Sequence, residues 1–254
     1  MTAVQFHKLR NERKIAFRHT AGTGPMLVFL PGYMSDMDGG KATAVFDWAT
    51  AQGRAALLLD YSGCGQSSGD FADGSLSIWR DEVLELIEAQ SEGQPVLLIG
   101  SSMGGWLMLM VGEALGPRLA GIVGIACAPD FTQWGRSDAD KAKLRAGETV
   151  YDENPYGPDP TPIHAKFWAD GQANLMLDRT IAIDAPVRLL HGQRDDDVPW
   201  EISLALAEAL RSDNVQTLFI KDGDHRLSRD ADIALLTRTC AQLLAEIDHP
   251  AKEN

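Results

Sequence analysis

Apolar residues along this chain follow two rhythms. Short runs that are apolar at nearly every position occur at Met26 to Leu30, Ala55 to Leu59, Val96 to Ile99 and Ala120 to Ala126, and Pro186 to His191 and Val215 to Lys221 are further short runs that are mostly apolar. Between them lie longer stretches in which apolar residues recur every three or four positions. Lys41 to Gln52 carries Ala44, Val45, Trp48 and Ala49 in that way. A stretch from about Ser75 carries Trp79, Val83, Leu86 and Ile87, and Trp200 to Arg211 carries Ile202, Ala205, Leu206, Ala209 and Leu210. Ala231 to Ile247 closes the series, and Trp106 to Leu115 is apolar almost all round, as a fully enclosed helix is. A run with no alternation fits a strand covered on both faces, whereas the longer period fits an amphipathic helix. Val4 to Leu9 and Ile15 to Arg18 fit short edge strands forming a hairpin. The alternation of strand and helix predicts an α/β fold with a mostly parallel sheet of about eight strands and helices on both faces.

One interval breaks the rhythm. Residues 129–185 contain Pro155, Pro158, Pro160 and Pro162 and the aromatics Phe131, Trp134, Tyr151, Tyr156, Phe167 and Trp168. The interval is too long for a simple connection between two core strands. It is expected to be a small cap inserted over the carboxyl ends of the strands, where open α/β sheets bind ligands; the alternative is a surface excursion packed only against itself. The expected organisation is a single domain over 1–254 with the cap at 129–185.

Composition narrows the function. A net charge of −13 without a basic patch excludes the phosphate contacts that nucleic-acid binding requires. Cys64, Cys127 and Cys240 are odd in number and widely spaced, which fits free thiols rather than a disulfide framework. No apolar stretch reaches bilayer-spanning length. The opening residues Met1 to Phe17 lack an apolar signal core and include Glu12, so a cytoplasmic location is expected.

The candidate chemistry begins at Gly100-Ser101-Ser102-Met103-Gly104, which follows one strand and opens the most apolar helix. In that setting G-x-S-x-G is a strand-to-helix elbow that lifts the Ser102 hydroxyl clear of the sheet. Gly100 and Gly104 stand where a side chain would meet backbone if the turn is strained. A serine needs a base, and the base an orienting acid. Two loops at strand ends offer them: His191 to Pro199, containing Asp195, Asp196 and Asp197, and Asp222 to His225. His225 is the expected base, because His7 and His19 precede the nucleophile, His164 lies in the cap, His249 in the polar tail, and His191 is placed to stabilise its own turn. Adjacent side chains diverge, so one of the three aspartates at most faces His225; Asp130 is a minor alternative. The backbone N–H groups of Met103 and of Tyr33, or of Met34, are the expected oxyanion donors, since Pro31 has none. Asp60 to Ser67 has too few glycines for a dinucleotide loop and is expected to border the site. No Cys or His pair has metal-ligand spacing, and no cofactor is expected.

These stretches resemble the α/β-hydrolase superfamily over the whole chain. Asp60 to Ser67, Gly100 to Trp106, Ala128 to Phe131, His191 to Trp200 and Lys221 to Ser228 are most similar to the small serine-hydrolase family that includes a mitochondrial palmitoyl-protein thioesterase and acyl-glucuronide esterase. The resemblance implies a Ser102–Asp195–His225 triad and hydrolysis of small-molecule acyl esters or thioesters. Met34, Phe131, Trp134, Phe167, Trp168 and Trp200 are then the expected pocket residues. Carbon–carbon bond hydrolysis or peptide cleavage by the same triad is the main alternative, and a ligand-binding protein with a decayed site is a weaker one. A haloalkane dehalogenase would carry an aspartate at position 102.

Overall fold

The computed structural model describes residues 2–154 and 157–249; Pro155 and Tyr156 of the interval 129–185 lie outside the described residues. In chain order, β1 (Gln5–Lys8), β2 (Lys14–Thr20) and β3 (Thr23–Leu30) lead into α1 (Gly40–Ala51) and β4 (Arg54–Leu59). Then come α2 (Leu76–Gln90), β5 (Val96–Ser101), α3 (Met103–Leu115) and β6 (Leu119–Ile125). The interval after β6 holds α4 (Asp138–Arg145), β7 (Val150–Asp152), β8 (Thr161–Ile163) and α5 (Ala165–Ala173). The chain closes with β9 (Val187–Gly192), α6 (Glu201–Ala209), β10 (Val215–Ile220) and α7 (Asp230–Asp248).

Eight strands form one sheet in the order β1-β2-β4-β3-β5-β6-β9-β10, while β7 and β8 pair separately as an antiparallel ribbon. Only β1 with β2 and β2 with β4 run antiparallel in the large sheet. Ile15 to Arg18 therefore does not form an edge strand: β2 is paired on both sides, and Ile15, Ala16 and Phe17 are buried. Along β5, Val96 and Leu98 join the core under α2 and α3, while Leu97 and Ile99 join the core under α1 and α7. That division explains the unbroken apolar runs, because each face of the sheet has its own helical cover. Among the described residues no helix is long and apolar enough to cross a membrane.

The strand order places the site. The chain moves outward from β3 to β4, then returns past β3 to β5 and continues the other way. Connections on either side of β3 and β5 leave in opposite directions, which opens a crevice at the carboxyl ends of these two strands. Ser102 follows β5 directly and caps α3, and the loop after β3 begins at Pro31. The interval after β6 packs over this crevice: Leu144, Val150, Ile163 and Trp168 form a small apolar cluster that closes on Tyr33 and Phe131.

Candidate active site

Ser102 has φ of 56° and ψ of −121°, a conformation that L-residues rarely hold. Backbone bonds on both sides hold it. Its N–H donates to the Ile125 carbonyl at 2.9 Å, and its carbonyl accepts from Ala128 at 3.1 Å and Gly105 at 2.8 Å. The flanking glycines are required by proximity. A Cβ at Gly100 would lie 2.5 Å from the Gly104 carbonyl oxygen, and one at Gly104 would lie 2.1 Å from the Leu30 carbonyl oxygen.

His225 lies on the loop after β10. Gly223 turns it by donating to Ile220 at 3.0 Å, and Asp224 Oδ1 accepts the Leu227 N–H at 2.9 Å, bracketing His225. The Asp195 loop after β9 is tied to the same turn, with Arg194 N–H donating to Gly223 at 2.9 Å and Gln193 N–H to Ile220 at 2.8 Å. As a result His225 Nε2 stands 3.1 Å from Ser102 Oγ, and its Nδ1 stands 2.8 Å from Asp195 Oδ2. Asp195 Oδ1 accepts the N–H groups of Asp197 at 2.9 Å and Val198 at 2.8 Å. Asp196 is exposed, and Asp197 lines the cavity. Asp130 faces elsewhere: its carboxylate accepts the N–H groups of Met176 and Leu177, both at 2.9 Å. Asp195, Asp197 and His225 bring one ligand atom each within 4.8 Å of one another. This group contains the hydrogen-bonded Asp195–His225 pair.

Burial of Asp195 by itself would push its pKa up. Hydrogen bonds from His191 and His225, the charge attraction of His225 and the Val198 N–H outweigh that effect and hold the carboxyl well below the usual carboxylate range. The sign for stability follows. A carboxyl whose pKa is depressed by folding contributes fully above its unfolded value of about 4, and the contribution is lost as pH falls through that value toward the folded one. Asp195→Asn should therefore flatten the decline of Tm between about pH 5 and pH 2. Profiles of equal steepness in the two proteins would contradict this.

The expected oxyanion loop is buttressed from three sides. Tyr61 hydroxyl donates to the Pro31 carbonyl at 3.0 Å, and Asp60 accepts the Met37 N–H at 2.7 Å and the Gln66 N–H at 2.8 Å. Tyr33 hydroxyl donates to the Pro162 carbonyl in β8 at 2.9 Å. The Asp60 to Ser67 loop thus braces the Pro31 loop from behind and contributes no wall to the cavity.

The cavity beside Ser102 has a volume of about 550 Å³ and is lined by Tyr33, Met103, Ala128, Phe131, Trp134, Ile163 and His225, among others. Of the expected pocket residues, Phe131 and Trp134 lie on its wall. The other four do not. Phe167 is buried behind the wall against Tyr33 and Trp79, and Trp168 donates to the Thr132 carbonyl from the small cluster under α4. Trp200 packs edge-on against Phe219, and Met34 points outward with 53% of its surface exposed. Charged residues that the pattern passed over complete the rim: Lys41, Arg226 and the ion pair of Arg136 with Asp152. Lys41 donates to the Arg226 carbonyl, which ties α1 to the His225 loop; burial and the Arg226 charge push its pKa down to about 8, against the pull of Asp224 and Asp232.

This geometry has relatives. The mouse mitochondrial palmitoyl-protein thioesterase ABHD10 is 35% identical over 241 residues, 92% of this chain and 80% of that protein. The solved structure of mouse alpha/beta hydrolase domain-containing protein 10 superposes with a TM-score of 0.90 at 32% identity, covering 97% of this chain and all of that one. A putative hydrolase from Agrobacterium vitis S4 superposes with a TM-score of 0.88 at 34% identity over 96% of this chain and 100% of its own. These findings correct one expectation. The curated relatives from mouse, orangutan, rat, cattle and human are all named as mitochondrial, so the cytoplasmic location inferred from the opening residues does not stand. The model of the alpha/beta hydrolase family matches residues 27–250, and with relatives of this identity and coverage the chain belongs to the alpha/beta hydrolase family.

Proposed function

We propose that this chain is a serine hydrolase that cleaves carboxylic esters or thioesters of acyl groups through an acyl-enzyme, with Ser102, His225 and Asp195 as its triad. The observation that carries the reading is the unbroken route from Ser102 Oγ to His225 Nε2 at 3.1 Å and from His225 Nδ1 to Asp195 Oδ2 at 2.8 Å. Ser102 Oγ attacks the acyl carbonyl while His225 takes its proton. The developing oxyanion is met by the Tyr33 and Met103 N–H groups, the second at the positive N-terminus of α3. His225 returns the proton to the leaving alcohol or thiol, and water then releases the acid by the same steps in reverse. Asp195 fixes the ring and stabilises its cationic form. Residues 129–185 act in this reading as the cap that closes the acyl pocket, with Phe131 and Trp134 on its apolar wall. Thioesters of acylated thiols are favoured among leaving groups because curated relatives are named palmitoyl-protein thioesterases, and the same names favour a mitochondrial site of action.

A panel of p-nitrophenyl esters and acyl thioesters of increasing chain length tests the substrate class. Turnover of both series with a chain-length optimum is expected; turnover confined to diketones or peptides would overturn the reading in favour of carbon–carbon or peptide cleavage. Tyr33 offers a separate check on the coupling of cap and oxyanion loop. Burial pushes its hydroxyl pKa up and keeps it a donor to Pro162. Tyr33→Phe leaves that carbonyl unpaired, which should cost about 1–2 kcal/mol of stability and lower kcat more than it raises KM. An unchanged Tm together with unchanged kcat would dismiss the coupling.

A further inference from the structure

Asp195 is held by two imidazoles, and only one belongs to the route from Ser102. His191 Nε2 lies 3.1 Å from Asp195 Oδ2, the same oxygen that His225 Nδ1 approaches to 2.8 Å. His191 is fully buried near the end of β9. Its Nε2 also stands 3.1 Å from the Val198 carbonyl, and its Nδ1 stands 2.7 Å from Ser203 Oγ at the start of α6. These partners fix the tautomer. A carboxylate and a carbonyl only accept, so Nε2 carries the hydrogen, and Nδ1 is left to accept from the Ser203 hydroxyl.

We propose that His191 is a positioning residue for hydrolysis: by donating Nε2–H to Asp195 Oδ2 it fixes the carboxylate and takes up part of the charge that His225 faces. The inference rests on the serine-hydrolase reading above. With His191 in place, Oδ1 accepts two backbone N–H groups and Oδ2 two ring N–H groups, so every acceptor site of the carboxylate is used. A carboxylate filled in this way has no second orientation to swing to, and His225 is held with it. Removing one donor from Oδ2 concentrates charge on the remaining contact, which makes His225 more basic and slower to give up its proton to the leaving group. The titratable groups sharing this cluster are Asp197 in the acid's own loop and His225 from the loop after β10; α6 brings the neutral Ser203 hydroxyl.

Two substitutions separate positioning from simple support of the turn. In His191→Gln the side-chain amide reaches the Nε2 position and can still donate to Asp195. In His191→Asn it reaches only the Nδ1 position and can still meet Ser203. With a p-nitrophenyl ester, His191→Asn should lower kcat about 10- to 100-fold with KM within about twofold. The acid limb of its kcat/KM profile should move up by on the order of half a pH unit. His191→Gln should stay within about fivefold of the parent in kcat. Equal losses in both variants with an unmoved acid limb would overturn the proposal, as would a parental rate in His191→Asn. A tautomer measurement by ¹⁵N NMR on the unaltered protein gives a readout independent of turnover: Nε2–H on His191 is expected, and Nδ1–H would refute it. Failure of the serine reading would appear separately, as parental turnover in Ser102→Ala.

Discussion

Ser102→Ala should lower kcat toward an activated ester by about 10⁴- to 10⁶-fold, with KM little changed and the melting curve intact. The magnitude follows from what the hydroxyl does: without it no covalent intermediate forms, and only oxyanion stabilisation and binding remain. The fold should tolerate the change, because the elbow is held by backbone. The bonds from Ser102 N–H to Ile125 and from Ala128 and Gly105 to the Ser102 carbonyl do not involve the side chain. Alanine accepts the same φ of 56° at the same cost as serine. A variant that lost activity and melted far below the parent would have failed for a structural reason, and Ser102→Cys, which keeps a nucleophile of similar volume, would then report whether chemistry at this position is what matters.

Asp195→Asn should cost about 10⁴-fold in kcat at neutral pH, by analogy with the same change in serine proteases, whereas Asp196→Asn should stay within about twofold. An amide at position 195 presents an N–H where His225 Nδ1–H now donates, so the ring is turned to the wrong tautomer or pushed away from Ser102 Oγ. Asp196 is exposed and does not meet His225. Asp130→Asn makes the informative contrast: it disturbs the bonds to Met176 and Leu177 that anchor the stretch after α5, so its effect should fall on Tm rather than on kcat. Equal kcat losses at positions 195 and 196, or a larger loss at 130, would remove Asp195 from the route.

The sequence made the scaffold legible because both faces of the sheet are covered. Val96 to Ile99 could face helices on either side only if every position were apolar, and it is. That Ser102 and His225 would meet was legible for a related reason: each lies on a loop just after a strand, and parallel strands bring their carboxyl ends to one rim; which of the three adjacent aspartates faces His225 came only from the family resemblance. The walls of the cavity were not legible. Phe167 and Trp168 carry the same apolar signal as Phe131 and Trp134, yet α5 turns the first pair into the core beneath the wall. Composition reports that a side chain seeks burial, and only packing decides whether it borders a cavity. Lys41 and Arg136 escaped for the opposite reason, since a charge near a helix end carries no mark that separates a solvated position from a cavity rim. The two carboxyl-end histidines show the same limit. His191 and Asp195 are four apart in a recognisable loop, but that both of the acid's ring donors share Oδ2 is a fact of three dimensions. The hairpin strand β2 reads as an edge because it is short and half polar, and it lies inside because β1 covers it.

In the proposed mechanism the hydroxyl at the β5–α3 elbow is the activated nucleophile. Incubating the folded protein with a fluorophosphonate and mapping the adduct by peptide mass spectrometry tests it most directly. A stoichiometric phosphonyl group on Ser102, forming in step with loss of ester turnover and blocked in His225→Ala, is the predicted result. Full inhibition with the adduct on another residue, or an unlabelled Ser102 in protein that still turns over the ester, would contradict the account.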